Sequence, residues 1–288
     1  MLGGVVGAGK TTWAVNSPKP LFIRGDEVNE FDVDRLDPVK TWDDFKNQLK
    51  WILATKPNYE TIVIDTIDFM EKMLHQKIVD DDDKSKGSMN KAMGGYGNGY
   101  SFAEKEMIDV RENLLKPIRD DLGKNIIIIV HSKPVTVTDP LQTMSYNSND
   151  MCLHAKSISV WSDWVSGIFF ADFVTYKIDG DNTSKTFLTG RGERVLYTEK
   201  RPSHFGKNRW GLPYELPLEF NEFHTRFKEF YDAGEVLDPA TLARTITSLS
   251  ENITDADLKD KVLKAVVAAS SDTKKLNRIL MRARELTT

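Results

Sequence analysis

Gly4-Val5-Val6-Gly7-Ala8-Gly9-Lys10-Thr11 decides the fold, because it fits the pattern G-x-x-x-x-G-K-[ST] in full. Glycines let a backbone curl until successive N–H groups point inward at phosphate oxygens. Lys10 adds a mobile positive charge, and Thr11 a hydroxyl suited to a hard divalent ion. The expected phosphate contacts are Gly4, Gly7, Ala8, Gly9, Lys10, Thr11 and Thr12. Thr12 to Val15 begin a helix whose positive end faces the anion, and Asn16-Ser17-Pro18 end it early. A glycine turn meeting the pattern by chance is the plainer reading, and it weakens if a partner motif follows. A buried strand normally leads into such a loop. Only Met1 to Gly3 precede this one, so that strand is expected to be missing or truncated, unless another segment fills the central sheet position.

The partner motif lies downstream. Pro20 to Ile23 read as a short buried strand ending in Arg24-Gly25-Asp26-Glu27. Thr41 to Ala54 place Trp42, Phe45, Leu49, Ile52 and Leu53 at helical spacing, with Thr41 as N-cap. Tyr59 to Thr66 then form an apolar strand ending in Asp65. Such a strand after a phosphate loop is the Walker B pattern, in which Asp65 holds Mg²⁺ beside Thr11. The alternative is an aspartate that merely caps the next helix.

Further along, Asp80 to Lys84 read as a solvated charge run, Gly87 to Gly99 as a mobile loop, and Tyr100 to Asp121 as a helix. The unbroken apolar run Asn125 to Val130 predicts a buried parallel strand ending at His131. His131 either reads the γ-phosphate or simply caps the strand. Residues 132–160 lack periodicity and predict a long loop. Strands follow at 168–174 and 193–198, around a polar hairpin at 179–184. Lys207 and Arg209, two apart on extended backbone, share a side and can grip one polyanion, or else form a solvated basic turn. From about residue 236 three short helices form a small C-terminal appendage, the last with a basic face of Lys274, Lys275, Arg278, Arg282 and Arg284.

Bulk properties bound the rest. The 288 residues suit one large α/β domain, here 1–235, plus the appendage at 236–288. No apolar run approaches the ~20 residues of a membrane span, and no signal peptide is evident. A single cysteine, Cys152, excludes an internal disulfide and fits a cytoplasmic protein. The net charge of −4 does not advertise a nucleic-acid partner, so such binding needs a local surface.

The order of these elements resembles the RecA-like core ATPases of bacteriophages, over residues 3–215. Within them it is most similar to the single-strand annealing and recombination proteins built from a RecA core alone. The more specific parts are Gly94-Gly95-Tyr96-Gly97-Asn98-Gly99-Tyr100 and Lys207-Asn208-Arg209-Trp210-Gly211-Leu212-Pro213. The resemblance implies a mostly parallel twisted sheet flanked by helices, ATP and Mg²⁺ as ligands, and catalysis by ATP hydrolysis. It makes Glu27, or Asp26 beside it, the base that orients the attacking water. It makes His131 the γ-phosphate sensor, and Lys207 and Arg209 a finger reaching the nucleotide of the adjacent subunit. A homo-oligomeric ring or filament is thereby implied, acting on single-stranded DNA through loops near 132–160 and 177–193, with Lys133, Lys156, Lys177 and Lys185 as cations. A single-strand-binding protein is a further implied partner. A helicase-like motor, a small-molecule phosphotransferase and a nucleotide-gated binding module with little turnover remain as alternatives.

Overall fold

A computed structural model of the chain describes residues 1–25, 31–138, 145–179, 186–190, 192–233, 239–269, 275, 276, 279, 280 and 283. Its contacts divide the chain into two compact units, Met1–Asn208 with Tyr214–Phe220, and Arg209–Pro213 with Asn221–Thr288.

The first unit is built on a mostly parallel sheet. Its strands are β1 (Leu2–Gly4), β2 (Pro20–Arg24), β3 (Thr61–Asp65), β4 (Asn125–Thr138), β5 (Ser145–Met151), β6 (Phe169–Phe173), β9 (Arg194–Tyr197) and β10 (Glu215–Pro217). The order is β10-β9-β6-β1-β4-β3-β2, with β9 and β10 running antiparallel and β5 paired to the outer half of β4. A separate pair, β7 (Tyr176–Asp179) and β8 (Thr186–Thr189), flanks the predicted hairpin, whose residues 180–185 lie outside the described ones.

Where the first strand was expected to be missing or truncated, three residues, Leu2–Gly4, hold the central position of the sheet. This strand pairs in parallel with both β4 and β6. Both neighbours hydrogen-bond its edges, and Gly3 lets the Phe205 ring lie against the strand. A Cβ on Gly3 would come within 2.3 Å of that ring.

Helices cover the sheet. They are α1 (Lys10–Val15), α2 (Trp42–Thr55), α3 (Ile67–Asp80), α4 (Asn98–Val110), α5 (Lys116–Asp120) and α6 (Ala155–Trp164). Thr41 caps α2 in a closed box: its hydroxyl accepts from the Asp44 amide, and the Asp44 carboxylate accepts from the Thr41 amide. The α2 stripe Trp42, Phe45, Leu49 and Ile52 is fully buried against Ile67, Met70 and Leu74 of α3 and the isoleucines of β3 and β4. The helix expected over 100–121 is divided. Arg111–Leu115 widen into a π turn just before Pro117, which has no N–H to continue the ladder.

Two loop expectations are overturned. The described parts of 132–160, residues 132–138 and 145–160, are not a structureless loop. β4 runs on to Thr138, pairs with β5 from Ser132↔Met151 to Thr138↔Ser145, and α6 follows. Alternating exposure with many Ser, Thr and Asn hides such a ribbon from hydropathy patterning. The Gly87–Gly99 segment is a series of tight turns tied by hydrogen bonds, such as Met93 N–H to Asp82 and Gly97 N–H to Asn90. Asp82, read as part of a solvated run, thus caps local structure.

The second unit contains α7 (Phe220–Ala233), α8 (Pro239–Ser250) and α9 (Ala256–Ala269). Its core comprises Leu242, Ile246, Val262, Val266, Leu276 and Leu280. Helix α7, placed with the core domain by the boundary at 235, groups with this unit instead. Of the predicted basic face, only Lys275 is among the described residues.

Candidate active site

Five parallel strands reach the carboxyl edge of the sheet side by side, where ligands of open α/β sheets bind. Gly4 of β1 is in register with His131 of β4 and Ala171 of β6, and Asp65 of β3 with Arg24 of β2. The phosphate loop leaves this edge from Gly4. A Cβ there would sit 2.1 Å from the Ala171 carbonyl oxygen, so only glycine lets β1 approach β6 so closely. Gly7 and Gly9 take positive φ of 80° and 99°, turning the chain into α1.

The Lys10 side chain is buried and donates to the carbonyl oxygens of Gly4 at 3.1 Å and Val5 at 2.8 Å. Burial holds its ammonium below the ordinary lysine value, while Asp65 and Asp68 pull it back up. Gly4, Gly7, Ala8, Gly9, Lys10, Thr11 and Thr12 therefore form one continuous turn into α1, with Thr12 exposed on its outer side.

Thr11 and Asp65 meet, as the pairing of the two motifs requires. The Thr11 hydroxyl donates to an Asp65 carboxylate oxygen at 2.8 Å across 54 residues of chain. Two hard oxygen donors at one point suit Mg²⁺, which takes one or two protein ligands and completes its shell with phosphate and water. No group of three or more His, Cys, Asp or Glu side chains among the described residues forms a protein-only metal cage. The buried Arg24 guanidinium stands 3.9 Å from the same carboxylate.

His131 is brought to the site, next to Gly4. Its ring Nδ1 lies 3.0 Å from Asp68, and its amide donates to the other Asp68 oxygen, also at 3.0 Å. Burial pushes Asp68 up, but the hydrogen bonds from the His131 ring and amide outweigh it and leave the carboxyl below its usual value. One turn further along α3, Glu71 accepts from the His154 amide, and burial holds its carboxyl above the usual range. His154 stacks on Tyr100 at 4.0 Å, and Tyr100 meets His75 edge-on at 5.5 Å. Burial, reinforced by His154, lowers His75 to about 4.

The remaining predicted residues are placed elsewhere. Asp26 and Glu27 lie outside the described residues; β2 ends at Arg24, beside Asp65. Lys207 pairs with Ile168, at the opposite edge of the sheet from the loop. Its ammonium donates to the carbonyl oxygens of Ser162 at 2.5 Å and Val165 at 2.8 Å, closing the end of α6. Arg209 is exposed and belongs to the second unit. Among the cations expected to face DNA, Lys133 donates to the Leu153 carbonyl and Lys156 pairs with Glu104.

Sequence reasoning overlooked Asp68, Arg24 and Arg194. The spacing Asp65-x-x-Asp68 was a usable signal, since a helix opening at Thr66 turns Asp68 back toward the strand ends. Nothing near Arg194 in sequence announces that its guanidinium lies against Gly9, the nearest side chain to where a Gly9 Cβ would stand.

No curated protein matches the chain. The family model for the AAA domain (AAA_24) matches residues 1–210, spanning the loop, Asp65 and His131. The chain therefore belongs to that family, and its first unit carries a P-loop AAA-type ATPase domain.

Proposed function

We propose that this ATPase is a RecA-like protein of bacteriophage recombination that anneals or exchanges single-stranded DNA under the control of its nucleotide. The observation that carries this reading is the continuity of β4. The strand that brings His131 beside the phosphate loop runs unbroken into the polar ribbon it makes with β5. A change felt at His131 through the nucleotide would move one end of a rigid element whose other end presents Thr136, Tyr146, Asn147 and Ser148.

In this mechanism Lys10 and the loop amides hold the phosphates, and Thr11 and Asp65 hold Mg²⁺. When bound, that ion offsets the negative charge gathering on the phosphate oxygens. His131, oriented by Asp68, senses the terminal phosphate. Glu27 or Asp26 orients the attacking water. Arg209 reaches the phosphates held by a neighbouring subunit, so that hydrolysis requires a ring or filament. Lys207, engaged with the end of α6, serves this finger as a support for its base.

Two of the four cations expected at the DNA, Lys133 and Lys156, are engaged within the protein, while the side chains of Lys177 and Lys185 lie outside the described residues, so DNA binding is expected to lean on stacking more than on charge. The exposed ring of Tyr146 offers a base-stacking surface instead. Binding to single strands should therefore show a shallow salt dependence.

ATPase rates measured with and without single-stranded DNA, over a range of protein concentrations, test the reading. Stimulation above a concentration threshold supports it. Unstimulated hydrolysis at every concentration refutes it, and ATP-driven duplex unwinding would assign a helicase-like motor instead.

A further inference from the structure

We infer that Arg194 is a second phosphate-binding cation, contributed by the same chain that supplies the loop; the inference rests on that loop being the nucleotide site. Arg194 opens β9, two strands from β1 and at the same edge of the sheet, where it is in register with Phe173 of β6. Its Nη1 would lie 2.6 Å from a Cβ built on Gly9, and its Cζ 3.4 Å. The three atoms nearest that position all belong to Arg194. The guanidinium is thus laid along the outer rim of the turn whose inner side holds Lys10.

Three features separate this from a chance surface arginine. First, no carboxylate among the described residues forms an ion pair with Arg194, although the chain is acidic overall. A cation beside an anion cradle, with no carboxylate partner among the described residues, is available for the anion. Second, the side chain is steered. Its Cζ lies 5.9 Å from the centre of the Phe173 ring, a contact that orients a guanidinium without neutralising it. Third, Gly9 serves two purposes. Its positive φ forms the turn, and its bare Cα leaves the space the arginine occupies. Lys10 is buried and fixed on two carbonyl oxygens, a point charge from below. Arg194 is exposed and carries a planar fork that suits phosphate oxygens in pairs.

This role differs from that of Arg209. A residue acting within its own chain contributes to binding in the isolated subunit, whereas a finger from a neighbour contributes only on assembly.

Titration of the full-length protein with a fluorescent ATP analogue, competed by inorganic tripolyphosphate, tests the inference. Arg194→Ala should weaken both ligands about tenfold, the effect of losing one charge-assisted contact. Arg194→Lys should recover part of the loss. Adding Lys10→Ala protein should not restore affinity, because the missing cation cannot come from a second chain. Unchanged affinity in Arg194→Ala, with Lys10→Ala still defective, would overturn the inference and leave the loop assignment standing. Weakened ATP with unchanged tripolyphosphate would overturn it too, by moving Arg194 to the nucleoside. Failure of the unaltered protein to bind ATP would remove both. Arg194→Gln, which keeps most of the stem without the charge, repeats the test should the alanine variant fold poorly.

Discussion

The ammonium of Lys10 is buried, held by two carbonyl oxygens of its own loop and drawn toward Asp65 and Asp68. Replacing it removes the one buried cation that the described loop offers to phosphate. Lys10→Ala should lower ATP affinity by about a hundredfold or more while leaving the circular dichroism spectrum intact. Equal ATP binding by both proteins in a calorimetric titration would contradict the assignment. His75 permits a pH prediction with a definite sign. Burial lowers it to about 4 from an ordinary 6.5, so between those values the unfolded chain takes up a proton that the folded chain refuses. Stability should therefore be complete above pH 6.5 and fall as the pH drops toward 4, by at most about 1.4 kcal/mol per pH unit from this residue. His75→Gln should flatten the decline seen in urea titrations across that window. An unchanged slope would mean that His75 titrates normally.

Among the elements, α2 shows what local rules can establish. Thr41, Asp44 and the stripe at 42, 45, 49 and 52 carry the whole description within fifteen residues, and the helix forms where its cap and periodicity placed it. Thr41→Ala should cost about 1 kcal/mol and lower the melting temperature without altering nucleotide affinity; an affinity loss would show that α2 communicates with the site. The phosphate loop and β3 were legible for a similar reason, since each compresses its chemistry into a few consecutive residues. The ribbon of β4 and β5 was not. Its alternation is confined to Val135 and Val137 among many Ser, Thr and Asn, too short a signal to mark a ribbon in sequence. Strand β1 was hard to read because three residues show no pattern alone, and its pairing is with β4 and β6, more than a hundred residues away. Arg194 and Asp68 escaped for the same reason. Their importance lies in a contact with Gly9 and with His131, and contacts of that range leave no trace in local spacing.

For the whole molecule, the question is which groups must come from another chain. Within one chain the loop, Thr11, Asp65, His131 and Arg194 gather at a single edge of the sheet, while Lys207 sits at the opposite edge. Lys207 is thus not available to the phosphates of its own chain, and the proposed finger role passes to Arg209. Arg209→Ala should bind ATP as tightly as the unaltered protein yet hydrolyse it about a thousandfold more slowly, the scale of a lost arginine finger. Mixing supplies the stricter form of the test. Lys10→Ala chains hold no nucleotide but keep Arg209, and Arg209→Ala chains hold nucleotide but lack the finger. On the proposed roles, each should be nearly inactive by itself. At concentrations that permit assembly, a mixture should regain a fraction of the activity, since some interfaces then join an intact loop to an intact finger. If the mixture stays as inactive as its parts while both variants still assemble, Arg209 acts within its own chain or not at all.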